Sequence, residues 1–167
     1  MPIAVSNSSP LINLSAIGRI NLLYQFDSVI IPPAVWYEVV IQGKNRPGSE
    51  ELIYLSESGH IKVKKPENTH LLKALMQELH AGEAESIVLA LEEKPDVVLL
   101  DETEARRVAS TYELRVTGIL GLLIKAGKND EAISIKEEMD KLRETGNFWI
   151  NKRLYDQILS IQNKTES

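Results

Sequence analysis

The stretch Val97-Val98-Leu99-Leu100-Asp101-Glu102-Thr103-Glu104-Ala105-Arg106 decides the class of fold. Four consecutive apolar residues read as a buried strand, Asp101 ends it, and a helical pattern runs on over residues 102–112. A further short apolar segment, Arg115-Val116, follows, so the unit is strand, helix, strand. Strands that alternate with helical patterns mark βαβ units and a parallel sheet.

The same alternation extends towards the N-terminus. Ile3-Ala4-Val5-Ser6 reads as a first strand, and Pro10 fits the first turn of the helix after it. A short helical stretch covers residues 20–24, and the strand Ser28-Val29-Ile30-Ile31 runs through Pro32-Pro33 into a helix over 34–41. Residues 43–48 form a loop, 49–58 a helix, and Ile61-Lys62-Val63 a third strand. Leu72, Leu75, Met76 and Leu79 predict a helix over 69–80. Gly82 separates it from another helix, whose inward face is Ala84, Ile87, Val88 and Leu91.

Gly118 and Gly121 begin one more helix, and from Asn129 the alternation stops. Ala132, Ile135, Met139 and Leu142 make one stripe, ended by Gly146, and Ile150, Leu154, Ile158 and Ile161 make another. Residues 163–167 read as a loose tail. The expected organisation is a single domain over 1–167, with a core at 1–128 and a C-terminal helical appendage at 129–162. Two such helices cannot bury both sides alone, so they are expected to dock on the sheet or on a second subunit.

Hydrophobic residues make up 43% and charged residues 26%, as in an ordinary globular protein. The longest apolar run, Ile119-Leu120-Gly121-Leu122-Leu123-Ile124, is too short to span a bilayer. With no cysteine there is no disulfide, thiolate metal site or cysteine nucleophile, and no secretory signal is legible, so a cytoplasmic location is expected. A formal net charge of −5 argues against nucleic-acid binding by bulk electrostatics but leaves room for a local basic rim. Lys44 and Arg46, in a glycine-flanked loop, are one candidate; Lys62, Lys64 and Lys65, around the third strand, are another. Solvated charge on a loop and on an edge strand is the simpler account of both sets.

Acids recur where strands run out or helices begin: Glu38, Glu83, Glu85 and Asp101, with Asn7 after the first strand. Ligands of open parallel sheets bind outside the carboxyl ends of the strands, and hard divalent ions take oxygen ligands. Each acid also has a structural use. Asp101-Glu102-Thr103-Glu104 has capping-box spacing, and Glu102 lies four residues before Arg106, as in a surface ion pair. The alternative for Arg106 is a phosphate contact. Glu83 and Glu85 sit in a first turn, where the dipole favours negative charge; being two apart they face differently, and Glu85 is the preferred site residue. Glu38 lies among Val35, Trp36, Tyr37, Val39 and Val40, where an unpartnered buried carboxylate would be costly. His60, His70 and His80 have no zinc-site spacing, and no serine-hydrolase, phosphate-loop or dinucleotide fingerprint occurs.

Five segments together resemble the PIN-domain family, the metal-dependent ribonuclease fold that includes VapC-type toxins. They are Val5-Ser6-Asn7-Ser8-Ser9-Pro10-Leu11-Ile12, Ile31-Pro32-Pro33-Ala34-Val35-Trp36-Tyr37-Glu38-Val39 and Gly82-Glu83-Ala84-Glu85-Ser86-Ile87. Leu99-Leu100-Asp101-Glu102 through Ala105-Arg106, and Val116-Thr117-Gly118-Ile119-Leu120-Gly121, complete the set. The likeness covers residues 3 to about 127 and is strongest to a branch of predicted nucleic-acid-binding PIN proteins. It implies an α/β fold of three layers with a parallel sheet in the order 3-2-1-4-5. It also implies an acidic pocket for Mg²⁺ or Mn²⁺, with Asn7, Glu38, Glu85 and Asp101 at the four acid positions and Glu38, Glu85 and Asp101 catalytic. Ser9, Glu83, Glu102 and Arg106 are the implied supporting residues.

The activity so implied is hydrolysis of single-stranded or structured RNA, as the toxin half of a toxin–antitoxin pair with a small antitoxin, and the apolar C-terminal helix pair offers an interface for a homodimer. Asn7 stands where the family has its first acid, which removes one negative charge from the site. That departure motivates a second reading: a PIN-fold module that binds nucleic acid or protein without cleaving.

Overall fold

A computed structural model of the chain describes residues 2–166, and side chains for residues 2–162. Five strands form one parallel sheet in the order β3-β2-β1-β4-β5. They are β1 (Ile3–Ser6), β2 (Ser28–Ile31), β3 (Ile61–Val63), β4 (Val97–Leu99) and β5 (Val116–Thr117). The last begins one residue later than the apolar pattern suggests. Ala4, Val5 and Ser6 pair with Val97, Val98 and Leu99, so β1 and β4 are direct neighbours.

All four residues of β2 are buried, as expected of a parallel strand covered on both faces. On one face, Val5, Ile30 and Val98 meet Leu75, Leu79, Ile87, Val88 and Val108. These last come from α4 (Thr69–Leu75), the turn after it, α5 (Ala81–Glu93) and α6 (Thr103–Thr111). Buried leucines of α1 (Ser8–Ala16) and α3 (Ser49–Glu57) lie in the rest of the core, with α3 packed on β3. Each such side chain contributes roughly 1.5–3 kcal/mol by leaving water.

Three helical expectations are corrected. Residues 34–41 are not one regular helix: α2 (Pro33–Trp36) passes into a six-residue π-helix, Tyr37–Gln42. Its wider turn buries Val39 and Val40 side by side and leaves Tyr37 and Ile41 each 54% exposed. The helix expected over 69–80 stops at Leu75, and Met76 is exposed. It could not have run to residue 80 in any case, because His80 is extended as the N-cap of α5; Gly82 lies inside α5 and separates nothing.

A 3₁₀-helix, Ile20–Gln25, and the helices α7 (Ile119–Asn129), α8 (Ile135–Glu144) and α9 (Lys152–Glu166) complete the chain. Gly146, at φ +73, lets the chain leave α8 where the sequence places a stop. The chain divides into two compact units, Met1–Ile119 and Leu120–Ser167, so α7 groups largely with the C-terminal helices. The tail expected over 163–167 lies outside the residues with described side chains, although α9 is assigned as far as Glu166. Among the described residues, no helix is long and apolar enough to cross a membrane.

Candidate active site

The reversal of strand order falls at β1 and β4, and Asn7 and Asp101 follow those strands. The backbone N–H of Asn7 donates to the Leu99 carbonyl at 3.1 Å, which joins the two strand ends directly. In open α/β sheets this is where a ligand crevice forms.

Glu38 comes to this crevice from the π-helix. Its side chain accepts the Ser8 hydroxyl at 2.8 Å from Oγ to Oε2, so the first turn of α1 holds it. The sequence pointed to Ser9 as the supporting hydroxyl. Ser9 instead accepts from Asn13 Nδ2 at 3.3 Å, one turn along its own helix, and Ser8 makes the contact with the acid. Gly82 gives the crevice room: a Cβ there would lie 3.1 Å from Asn7 Oδ1 and 3.6 Å from Glu38 Oε2.

Glu83 and Glu85 separate clearly. Glu83 is 7% exposed, and its Oε1 accepts the backbone N–H of His80 at 3.1 Å, capping α5. Burial pushes its carboxyl above the usual range; the His80 N–H pulls it down, Glu102 pushes it up, the His80 side chain lowers it and Glu38 raises it. Two of its charged neighbours are therefore acids of the crevice. Glu85 is also raised by burial, but what opposes this is the Ala34 N–H and Lys65. Of the pair, Glu83 is the one surrounded by the other acids. Its signal in the sequence was a face shared with Ile87 and Ala90, both of which are fully buried.

Asp101 does not cap α6; the N-cap there is Glu102, and Glu104 pairs with Arg107 rather than reaching back. Asp101 Oδ1 instead accepts the N–H of Ile119 at 2.8 Å, in the first turn of α7. Its Oδ2 is buried without a hydrogen-bond partner. Burial pushes the carboxyl up to about 6; the Ile119 N–H opposes this, Glu102 adds to it, and Arg106 opposes it. Gly118 lets these two side chains come close, since a Cβ would lie 2.5 Å from Asp101 Oδ1 and 2.9 Å from an Arg106 guanidinium nitrogen and would make both shift. Arg106, expected in an ion pair with Glu102, lies beside Asp101 with one nitrogen 3.5 Å from the Leu100 carbonyl. Glu102 meets Asn7, whose Nδ2 lies 3.5 Å from Glu102 Oε2.

Lys44 and Arg46 are exposed in the loop after the π-helix. Lys62 lies on edge strand β3, Lys64 pairs with Glu93 at 3.1 Å, and Lys65 is the cation near Glu85.

Among the described residues, no three acidic or imidazole groups are spaced to close on one ion as they stand. The donor chemistry nevertheless suits a hard cation. Asn7, Glu38, Glu83, Asp101 and Glu102 offer only oxygen acceptors, and Asp101 Oδ2 is a buried acceptor with nothing to accept from. Glu38 and Glu102 are exposed and held by the side chains of Ser8 and Asn7, whereas Glu83 and Asp101 are fixed by backbone N–H groups.

No curated protein matches the chain. The model of the family DUF3368, described as a PIN domain, matches residues 3–164. That match begins at the first strand, ends in the last helix and takes in the whole 3-2-1-4-5 sheet, so the chain belongs to the PIN-domain family and carries its nuclease-type fold.

Proposed function

We propose that this protein is a metal-dependent ribonuclease that hydrolyses RNA phosphodiesters beside the carboxyl ends of β1 and β4. The observation that supports it is the meeting of these groups at one rim: Asn7 Nδ2 lies 3.5 Å from Glu102 Oε2, Asn7 Oδ1 and Glu38 Oε2 border the same space beside Gly82, and Asp101 Oδ2 is a buried acceptor with no hydrogen-bond partner. Acids held together against their own repulsion suit a cation. In this reading Asn7, Glu38, Glu83 and Asp101 hold Mg²⁺ or Mn²⁺, with Glu83 in the place first expected for Glu85. Bound there, the ion would lower the pKa of a water and offset charge on the phosphate.

The chain's own residues do the positioning. Ile119 fixes one oxygen of Asp101 and leaves the other open, while Ser8 steers Glu38. Arg106, beside Asp101, is placed to meet a phosphate oxygen, and Lys44 and Arg46 can follow the RNA backbone.

Incubation with a mixed single-stranded RNA panel in Mn²⁺ tests the proposal, with Asp101→Ala run in parallel. Cleavage by the wild type alone is expected. Absence of cleavage by folded wild type overturns it in favour of a PIN-fold module that binds nucleic acid or protein without cutting, the reading that Asn7 favours. The toxin role and a small antitoxin belong to this proposal through family resemblance, and a homodimer through the apolar stripes of the C-terminal helices. Co-purification with the product of an adjacent short reading frame checks the antitoxin.

A further inference from the structure

Asn7 is the N-cap of α1, a position where asparagine ordinarily accepts a backbone N–H of the first turn. Its side chain makes no such bond. It is only 4% exposed, so it faces protein on nearly all sides. Glu102 shows the same abstention: it is the N-cap of α6 and makes no capping bond either. The two side chains turn to each other instead, Asn7 Nδ2 donating to Glu102 Oε2 at 3.5 Å across 95 positions of sequence.

The other end of the amide is equally defined. Asn7 Oδ1 lies on the Gly82 side, towards the space that Glu38 Oε2 also borders. Turning the amide over would set its oxygen against the Glu102 carboxylate, acceptor against acceptor. Glu102 therefore decides which atom of Asn7 faces the crevice. Its charge also acts on both Glu83 and Asp101.

We propose that Asn7 and Glu102 are an exchanged pair, in which Glu102 supplies the carboxylate that position 7 lacks and Asn7 holds it at the crevice. This rests on the metal-site reading above. An acid at position 7 would then be no simple repair, because a buried carboxylate would stand where the amide now lies 3.5 Å from Glu102 Oε2.

Four proteins test the pair: wild type, Asn7→Asp, Glu102→Gln, and the double variant, in which acid and amide trade places. Melting in EDTA reads the pairing without metal, and calorimetric titration with Mn²⁺ reads the site without RNA. Asn7→Asp alone is expected to lower the metal-free melting temperature by about 4 °C or more through like-charge repulsion. Glu102→Gln alone is expected to weaken Mn²⁺ binding about tenfold. The double variant should return to within about 1 °C and about twofold of wild type, since acid and amide again face each other. A double variant that shows the sum of the single effects overturns the pairing, even with Mn²⁺ binding intact. A wild type that binds no Mn²⁺ overturns the metal reading and, with it, the role given to Glu102, whatever the melting temperatures.

Discussion

Acids in the C-terminal helical unit and acids at the β1–β4 rim live under opposite rules. In the helical unit Asp140 accepts from Lys136 at 2.9 Å and from the Tyr155 hydroxyl at 2.7 Å, and these bonds hold its carboxyl below the usual range. Tyr155 lies under the Arg143 guanidinium, 4.0 Å from the ring centre, and buried Glu138 is met by Lys141 at 3.2 Å. At the rim, Glu83 and Asp101 are both pushed upward, with burial the main cause and Glu102 adding to it in each case. The bonds on Asp140 favour its charged form in the fold, whereas burial at the rim disfavours the charged forms of Glu83 and Asp101. Acids retained at such a cost point to use rather than to stability.

The largest effect expected from breaking this contrast is on cleavage. Glu83→Gln should reduce RNA hydrolysis by about 100-fold or more, against a few-fold at most for Glu85→Gln. Equal losses from the two would remove the distinction between the crevice acid and its neighbour.

Stability gives the next effect. Burial pushes the Asp101 carboxyl up to about 6, roughly two units above an ordinary aspartate. The raised value means that the fold favours the protonated form. The stability this contributes is complete below the unfolded pKa and is lost as pH rises through the folded one. At about 1.4 kcal/mol per unit the loss approaches roughly 3 kcal/mol, less for a group that is only half-buried. Asp101→Asn, which keeps an acceptor for Ile119, should therefore raise the metal-free melting temperature at pH 7.5 by roughly 4–8 °C. It should also remove the decline between about pH 4 and pH 6. A melting temperature unchanged or lowered at pH 7.5 would mean that Asp101 is already compensated. Asp140→Asn, in the helical unit, should shift the metal-free melting temperature by no more than about 2 °C, downward, because exposed pairs are weak.

Strands were legible because apolar runs such as Val29-Ile30-Ile31 and Val97-Val98-Leu99 are bounded by polar or proline residues, and four of the five begin where the pattern places them. Strand order came from family resemblance rather than periodicity, which says nothing about neighbours. The rim position of Asn7 and Asp101 was legible too, since each follows a strand directly. What escaped depended on contacts between distant segments. Asp101 had capping-box spacing, yet its bond runs 18 positions ahead to Ile119. Ser8 and Ser9 are chemically alike, and only the approach of Glu38 from another helix tells them apart. Likewise Glu83 and Glu85 differ in which segments lie beyond them: Glu102 and Glu38 for one, Ala34 and Lys65 for the other.

The π-helix Tyr37–Gln42 has its own implication for how this segment can change over evolution. Its hydrogen-bonded rings hold one residue more than those of an ordinary helix. Removing any single residue between 37 and 42 would let the turns close to the regular pitch. Residues between the deletion and the end of the wide turn would then move round the helix axis by up to about 100°, while the flanking faces kept their directions. Val39 and Val40 could not both stay buried, and Glu38 would swing away from Ser8. Point substitutions at exposed Tyr37 or Ile41 carry no such penalty. Here the chain tolerates changes of letter far better than changes of length, and insertions or deletions in relatives that keep Glu38 in place should fall in the loop at residues 43–48 instead.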